Sequence, residues 1–173
     1  MTVRIALAIT FLVVAVGFSG CADGSNGSMT LDEYFQKLVA LDAAADERFG
    51  DVEGRLDDAA QGNDEGRAAA IRTFLRESGS ILSDFLDSLA TLDPPSEIED
   101  AHGEFVETGR QFGEYWAGVV ERSESMSPTE IASELGQVGN EETAERWTAA
   151  CLSLQQRADQ QGVGLDLDCE ENA

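Results

Sequence analysis

The chain has 173 residues, room for one compact domain, with 42% hydrophobic residues to supply a core and aromatics at 7%. Its formal net charge is -23, from 34 acids against 11 bases, and Lys37 is its sole lysine. Such a field repels phosphate backbones and anionic membrane surfaces. It argues against nucleic-acid binding and directs attention to cations, basic proteins and cationic peptides, or simply to solubility.

Residues 1–20 have the pattern of an export signal. Arg4 is the one positive charge ahead of "IALAITFLVVAV" at 5–16. That apolar run is too short to cross hydrocarbon comfortably, which takes about 20 residues. "FSGC" follows at 18–21: a hydrophobic residue, two small ones and a cysteine. This motif resembles the lipobox of bacterial lipoproteins, with Phe18 a departure where an aliphatic residue is more usual. The resemblance covers the first 21 residues and no more. It implies that Cys21 receives diacylglycerol, becomes the first residue of the mature chain and anchors it to the outer face of the cell membrane. Two other outcomes stay open: cleavage after Ala22, which would release a secreted protein, and an uncleaved anchor.

If Cys21 carries lipid or leaves with the signal, Cys151 and Cys169 remain of the three cysteines. Two thiols in an oxidising compartment make one disulfide. Residues 21–29 then join anchor to domain. Within them "ADGSNGS" at 22–28 is polar and glycine-containing, a flexible tether with a root-mean-square span of about 15 Å.

From 30 to 173 the pattern is that of a helical domain. "TLDE" at 30–33 is a capping box, in which the threonine side chain accepts from the third helical N–H and the glutamate reaches back. Leu31, Phe35, Leu38, Leu41, Ala45, Phe49, Val52 and Leu56 then recur every three or four residues. Gly50 and Gly54 are candidate early stops, and "QGND" at 61–64 ends the helix. A second helix begins at 63 or 64, with the stripe Ile71, Phe74, Leu75, Ile81, Leu82, Phe85, Leu89, Leu92, and Ser78 in its gap. "DPP" at 93–95 stops it.

"SEIE" at 96–99 reads as the cap of a third helix, antiparallel to the second. Ile98, His102, Phe105, Gly109, Phe112, Trp116 and Val119 form a heptad seam along it. "SPTE" at 127–130 caps a short helix running to about Val138. The last helix starts near Asn140 and turns Ala144, Trp147, Cys151, Leu154 and Ala158 inward. Four amphipathic helices with short links, plus one short extra helix, predict an all-α up-and-down four-helix bundle. A turn at "GVG" (162–164) would bring an extended tail back along the last helix. About 16 Å of helix against about 16 Å of extended chain sets Cys169 beside Cys151. Leu165 and Leu167 would face the helix, with Asp166 and Asp168 toward water.

Few constellations carry chemistry. Glu99 and His102 form the Glu-x-x-His step of di-iron bundles, but such sites need two of these motifs and the chain has one histidine. The plainer reading is a packed histidine bonded by a neighbouring carboxylate. "DLDCEEN" at 166–172 gathers four carboxylates without the spacing of a calcium loop, and reads as a solvated terminus. Trp116 and Trp147 lie on apolar seams, core residues first and a candidate ligand pocket with His102 second. Gly109 and Gly113 point to close helix approach. No nucleophile motif or phosphate loop is present, so no enzyme activity, cofactor or metal is expected. The whole resembles the small prokaryotic lipoproteins of unassigned function. It is expected to be an interaction or scaffold protein of the cell envelope; the alternative is a small-ligand or cation binder using the bundle interior.

Overall fold

A computed structural model describes residues 29–59, 64–138, 141–163, 167 and 169. Residues 1–20, expected to be an export signal, and Cys21 to Ser28, expected to carry the anchor and tether, lie outside the described residues, as do all four tail carboxylates. Five helices make up the fold: α1 Leu31–Ala59, α2 Asp64–Ala90, α3 Glu99–Ser123, α4 Pro128–Val138 and α5 Glu142–Gln160. The protein is all-α with up-and-down packing: α1 lies on α2, α2 on α3, and α3 on α5, while short α4 rests against α2.

Two of the three predicted capping boxes form. At the start of α1, Thr30 N–H donates to the Glu33 carboxylate at 2.9 Å, and Glu33 N–H donates to Thr30 Oγ1 at 3.3 Å. At α4, Ser127 N–H donates to the Glu130 carboxylate at 2.7 Å. Accepting these donors holds both carboxyls below the usual range. The box at Ser96 does not form. Ser96 Oγ donates instead to the Glu97 carboxylate at 3.3 Å, and Ile98 occupies the cap position without a side-chain hydrogen bond. Ile98 is fully buried and its N–H donates to Pro95 O at 3.0 Å, so packing and a turn start α3 where capping was expected.

Gly50 and Gly54 do not interrupt α1, which continues to Ala59. Val52 between them is buried, and Arg48 and Arg55 reach across to Asp84 and Glu77 of α2. Those contacts hold the helix through two residues that each cost about 1 kcal/mol of propensity. A methyl group at either glycine would meet nothing within 4 Å.

The main core lies at the end of the bundle where α1, α2, α3, α5 and the tail converge. Tyr34, Phe35 and Leu38 of α1 meet Leu89 of α2, Phe105 of α3 and Leu154 of α5. A smaller core at the other end joins Leu75 of α2, Val119 of α3 and Ile131 of α4. There the Arg72 guanidinium donates to the Ser123 and Met126 carbonyls at 2.9 and 2.8 Å, satisfying chain that leaves α3.

The tail folds back at Leu167 and Cys169 as its sequence predicts; Leu165, Asp166 and Asp168 lie outside the described residues. Gly162 has φ of 75°, Gly162 N–H donates to Asp159 O at 3.0 Å and Val163 N–H to Ala158 O at 3.0 Å, a Schellman ending. Leu167 is buried and its N–H donates to Gln155 Oε1 at 2.8 Å. The Cys151–Cys169 disulfide closes the return, with Cα atoms 5.7 Å apart. A clip over an 18-residue separation stabilises by about 3 kcal/mol.

Candidate functional site

The three residues singled out as a ligand pocket occupy different places. His102, on the first turn of α3, is buried in the main core. Its Nδ1 is hydrogen-bonded to the Tyr34 hydroxyl at 2.9 Å, and the rings meet edge to face at 5.6 Å. The partner is therefore a tyrosine from another helix, where a carboxylate was expected. Glu99, the other half of the Glu-x-x-His step, is exposed. Burial pushes the His102 pKa below the ordinary imidazole value, and burial drives the Tyr34 hydroxyl well above the ordinary phenol value. Burial thus favours the neutral form of both groups, and the hydrogen bond links α1 to α3 as a latch.

The tryptophans belong to an aromatic row along α3 and α5. Trp147 stacks on Phe105 with centroids 5.8 Å apart and on Phe112 at 5.2 Å. Phe112 in turn lies 6.1 Å from Trp116. Phe112 thus fills the space between the two tryptophans, where a shared pocket would be. Gly109 makes the row possible. A Cβ there would sit 2.5 Å from Leu86 Cδ2 and 2.9 Å from Trp147 Nε1, both far inside contact distance. The close approach leaves Trp147 Nε1 buried without a hydrogen-bond partner among the described residues. Trp116 is better satisfied, since its Nε1 donates to Leu75 O at 3.0 Å.

Two hollows lie on the outside of the helices. One groove of about 510 Å³ runs between α1 and α2, bordered by Lys37, Leu41, Asp87 and Leu92. A second, of about 500 Å³, runs between α2 and α3, with Trp116 in its wall and Arg76 and Arg110 on its rim. Of the three sequence candidates, Trp116 alone opens onto either groove. Among the described residues, no group of three or more His, Cys, Asp or Glu side chains comes together to hold a metal ion. No described helix is long and apolar enough to cross a membrane.

Sequence reasoning missed Tyr34, Arg76 and Arg110. Tyr34 had a readable signal, since it lies three residues after Leu31 and four before Leu38, on the same stripe. The two arginines carried none, because their nearness depends on how α2 and α3 align. Comparison with known protein families, with curated proteins and with solved structures finds no match to this chain.

Proposed function

We propose that this chain is a lipid-anchored interaction protein of the cell envelope, held at the outer face of the cytoplasmic membrane through Cys21. The observation that carries the reading is the use of the interior. His102, Phe112 and Trp147 are engaged in packing, and Trp116 is tied to α2, so the relief offered to other molecules lies on the outer surface. The lipobox and polar tether supply the anchor and its reach. The net charge of -23 keeps the domain off anionic lipid and attracts basic surfaces, giving a partner with a cationic face an electrostatic advantage in encounter.

Cross-linking on intact cells, followed by identification of the captured protein, tests the interaction. A specific partner recovered with wild type and lost when Cys21→Ala releases the chain from the membrane is the expected result. Recovery of Cys21→Ala in the membrane fraction at wild-type level would remove the anchor from the proposal.

A further inference from the structure

In a chain this acidic, the positions of the arginines are informative. Arg48, Arg55 and Arg122 are each paired with a carboxylate, and Arg72 is committed to two backbone carbonyls. Arg76 and Arg110 make no ion pair with a carboxylate among the described residues, and both border the same groove between α2 and α3. Arg76 bonds only through Nε, to Arg72 O at 3.3 Å, which leaves the end of its guanidinium fork free. Arg146 and Arg157 of α5 also make no such pair among the described residues, but Arg76 and Arg110 share one groove, where they balance Asp87 and Glu114 and offset the negative field of the whole domain.

The floor of the groove is apolar and shaped by glycines. Trp116 brings the Cδ1–Nε1 edge of its indole close against α2 because position 79 lacks a side chain: a Cβ there would come 3.1 Å from its Cδ1. The hydrogen bond to Leu75 O then fixes the indole, which remains half-exposed toward the groove. Opposite, Gly113 keeps the wall low, and a Cβ there would meet Leu86 Cδ1 at an ordinary 3.6 Å. The Gly79–Trp116 and Leu86–Gly113 contacts set the antiparallel alignment of the helices. In that alignment Arg110 stands level with residues 85 to 89 of α2, so Arg76 lies nine to thirteen residues earlier in that helix, about 14–20 Å along its axis. The arginines mark the two ends of the groove and the indole lies between them.

We propose that this groove binds a small, elongated organic dianion: an apolar, preferably aromatic body carrying a carboxylate at each end. Each guanidinium takes one carboxylate, where its fork matches the geometry of two parallel hydrogen bonds. The body lies on Trp116, and Ser83 adds a hydroxyl at the rim. The volume of about 500 Å³ falls in the range of small-molecule sites, roughly 300–1,000 Å³. Asp87 and Glu114 also border the groove and oppose the ligand, so affinity rises when their charge is removed. This site is separate from the protein-partner reading and does not depend on it.

The test is calorimetric titration of the full chain in detergent with biphenyl dicarboxylate, against micelles alone as blank. Saturable binding weakened about tenfold or more by Arg76→Gln and by Arg110→Gln is expected, with helix content by circular dichroism unchanged. Glu114→Gln should tighten binding severalfold, and Gly113→Leu should abolish it by filling the floor. The monocarboxylate should bind at least tenfold more weakly than the diacid. Absence of saturable heat at millimolar diacid overturns the proposal. So does wild-type affinity in either arginine variant, or equal affinity for the mono- and diacid.

Discussion

The two ends of the bundle are held by different means. At the tail end, three residues of α1 are fully buried, a tyrosine is hydrogen-bonded to a histidine, and a disulfide fastens the chain to α5. At the α4 end, α1 buries only Val52 within its stretch from 50 to 57, and its hold on α2 rests on exposed ion pairs. The same helix is thus core at its start and a surface strap near its finish. Local stability follows the density of buried apolar contact, so the α4 end should open first in amide exchange.

The sharpest way to break this contrast is to cut the clip. Cys151→Ser should lower stability by about 3 kcal/mol under oxidising conditions, read by chemical denaturation. An unchanged midpoint would mean that the tail is held by Leu167 and Gln155 alone. Next in size is Gly109→Ala, which drives a methyl into Leu86 and Trp147 and should cost about 2 kcal/mol. Its control is Gly113→Ala on the same helix, where the added methyl finds ordinary contact and helix propensity favours it. If the two alanines behave alike, the aromatic row is not packed as described.

Tyr34→Phe should cost about 1 kcal/mol, because His102 Nδ1 loses its partner inside the core. The same pair gives a pH effect. The folded-state pKa of His102 is depressed by burial, so the unfolded chain binds its proton more readily. The stability this contributes is complete above the ordinary value of 6.5 and is lost as pH falls below it toward the folded value. Denaturation at pH 7.5 and pH 5.5 should show the loss in wild type and a flatter profile in His102→Asn. Smallest is the change at the loose end. Gly50→Ala and Gly54→Ala should each raise stability by about 0.5–1 kcal/mol, since neither methyl meets a neighbour. Losses there instead would place a hidden contact on the strap.

Most of the helical framework could be read from spacing. The apolar stripes located all five helices, and the proline pair stopped α2 because proline bars helical geometry before it. A turn at 162–164 and the Cys151–Cys169 disulfide were read from cysteine count and chain lengths together, and the turn takes the form of a Schellman ending at Gly162. The misreadings have a common cause. Ser96 has the residues of a cap but lies beside a buried isoleucine, and Gly50 has the propensity of a stop but lies beside buried Val52. In both places burial of one apolar side chain outweighed a local preference of about 1 kcal/mol.

Sequence by itself determined what depends on neighbours along the chain: the helices, two of their caps, the acidic field, and the lipobox resemblance at Cys21. Tertiary structure alone decided which helices share a face. It gave His102 a tyrosine partner, set Phe112 between the tryptophans, and brought Arg76 and Arg110 to one groove. The physical reason is one of range. Helix periodicity and capping are written within a few residues, whereas the pairing of α2 with α3 is fixed by side chains 27 to 37 positions apart, such as Leu86 against Gly113 and Trp116 against Gly79. No pattern within either helix specifies that alignment; shape complementarity between them does.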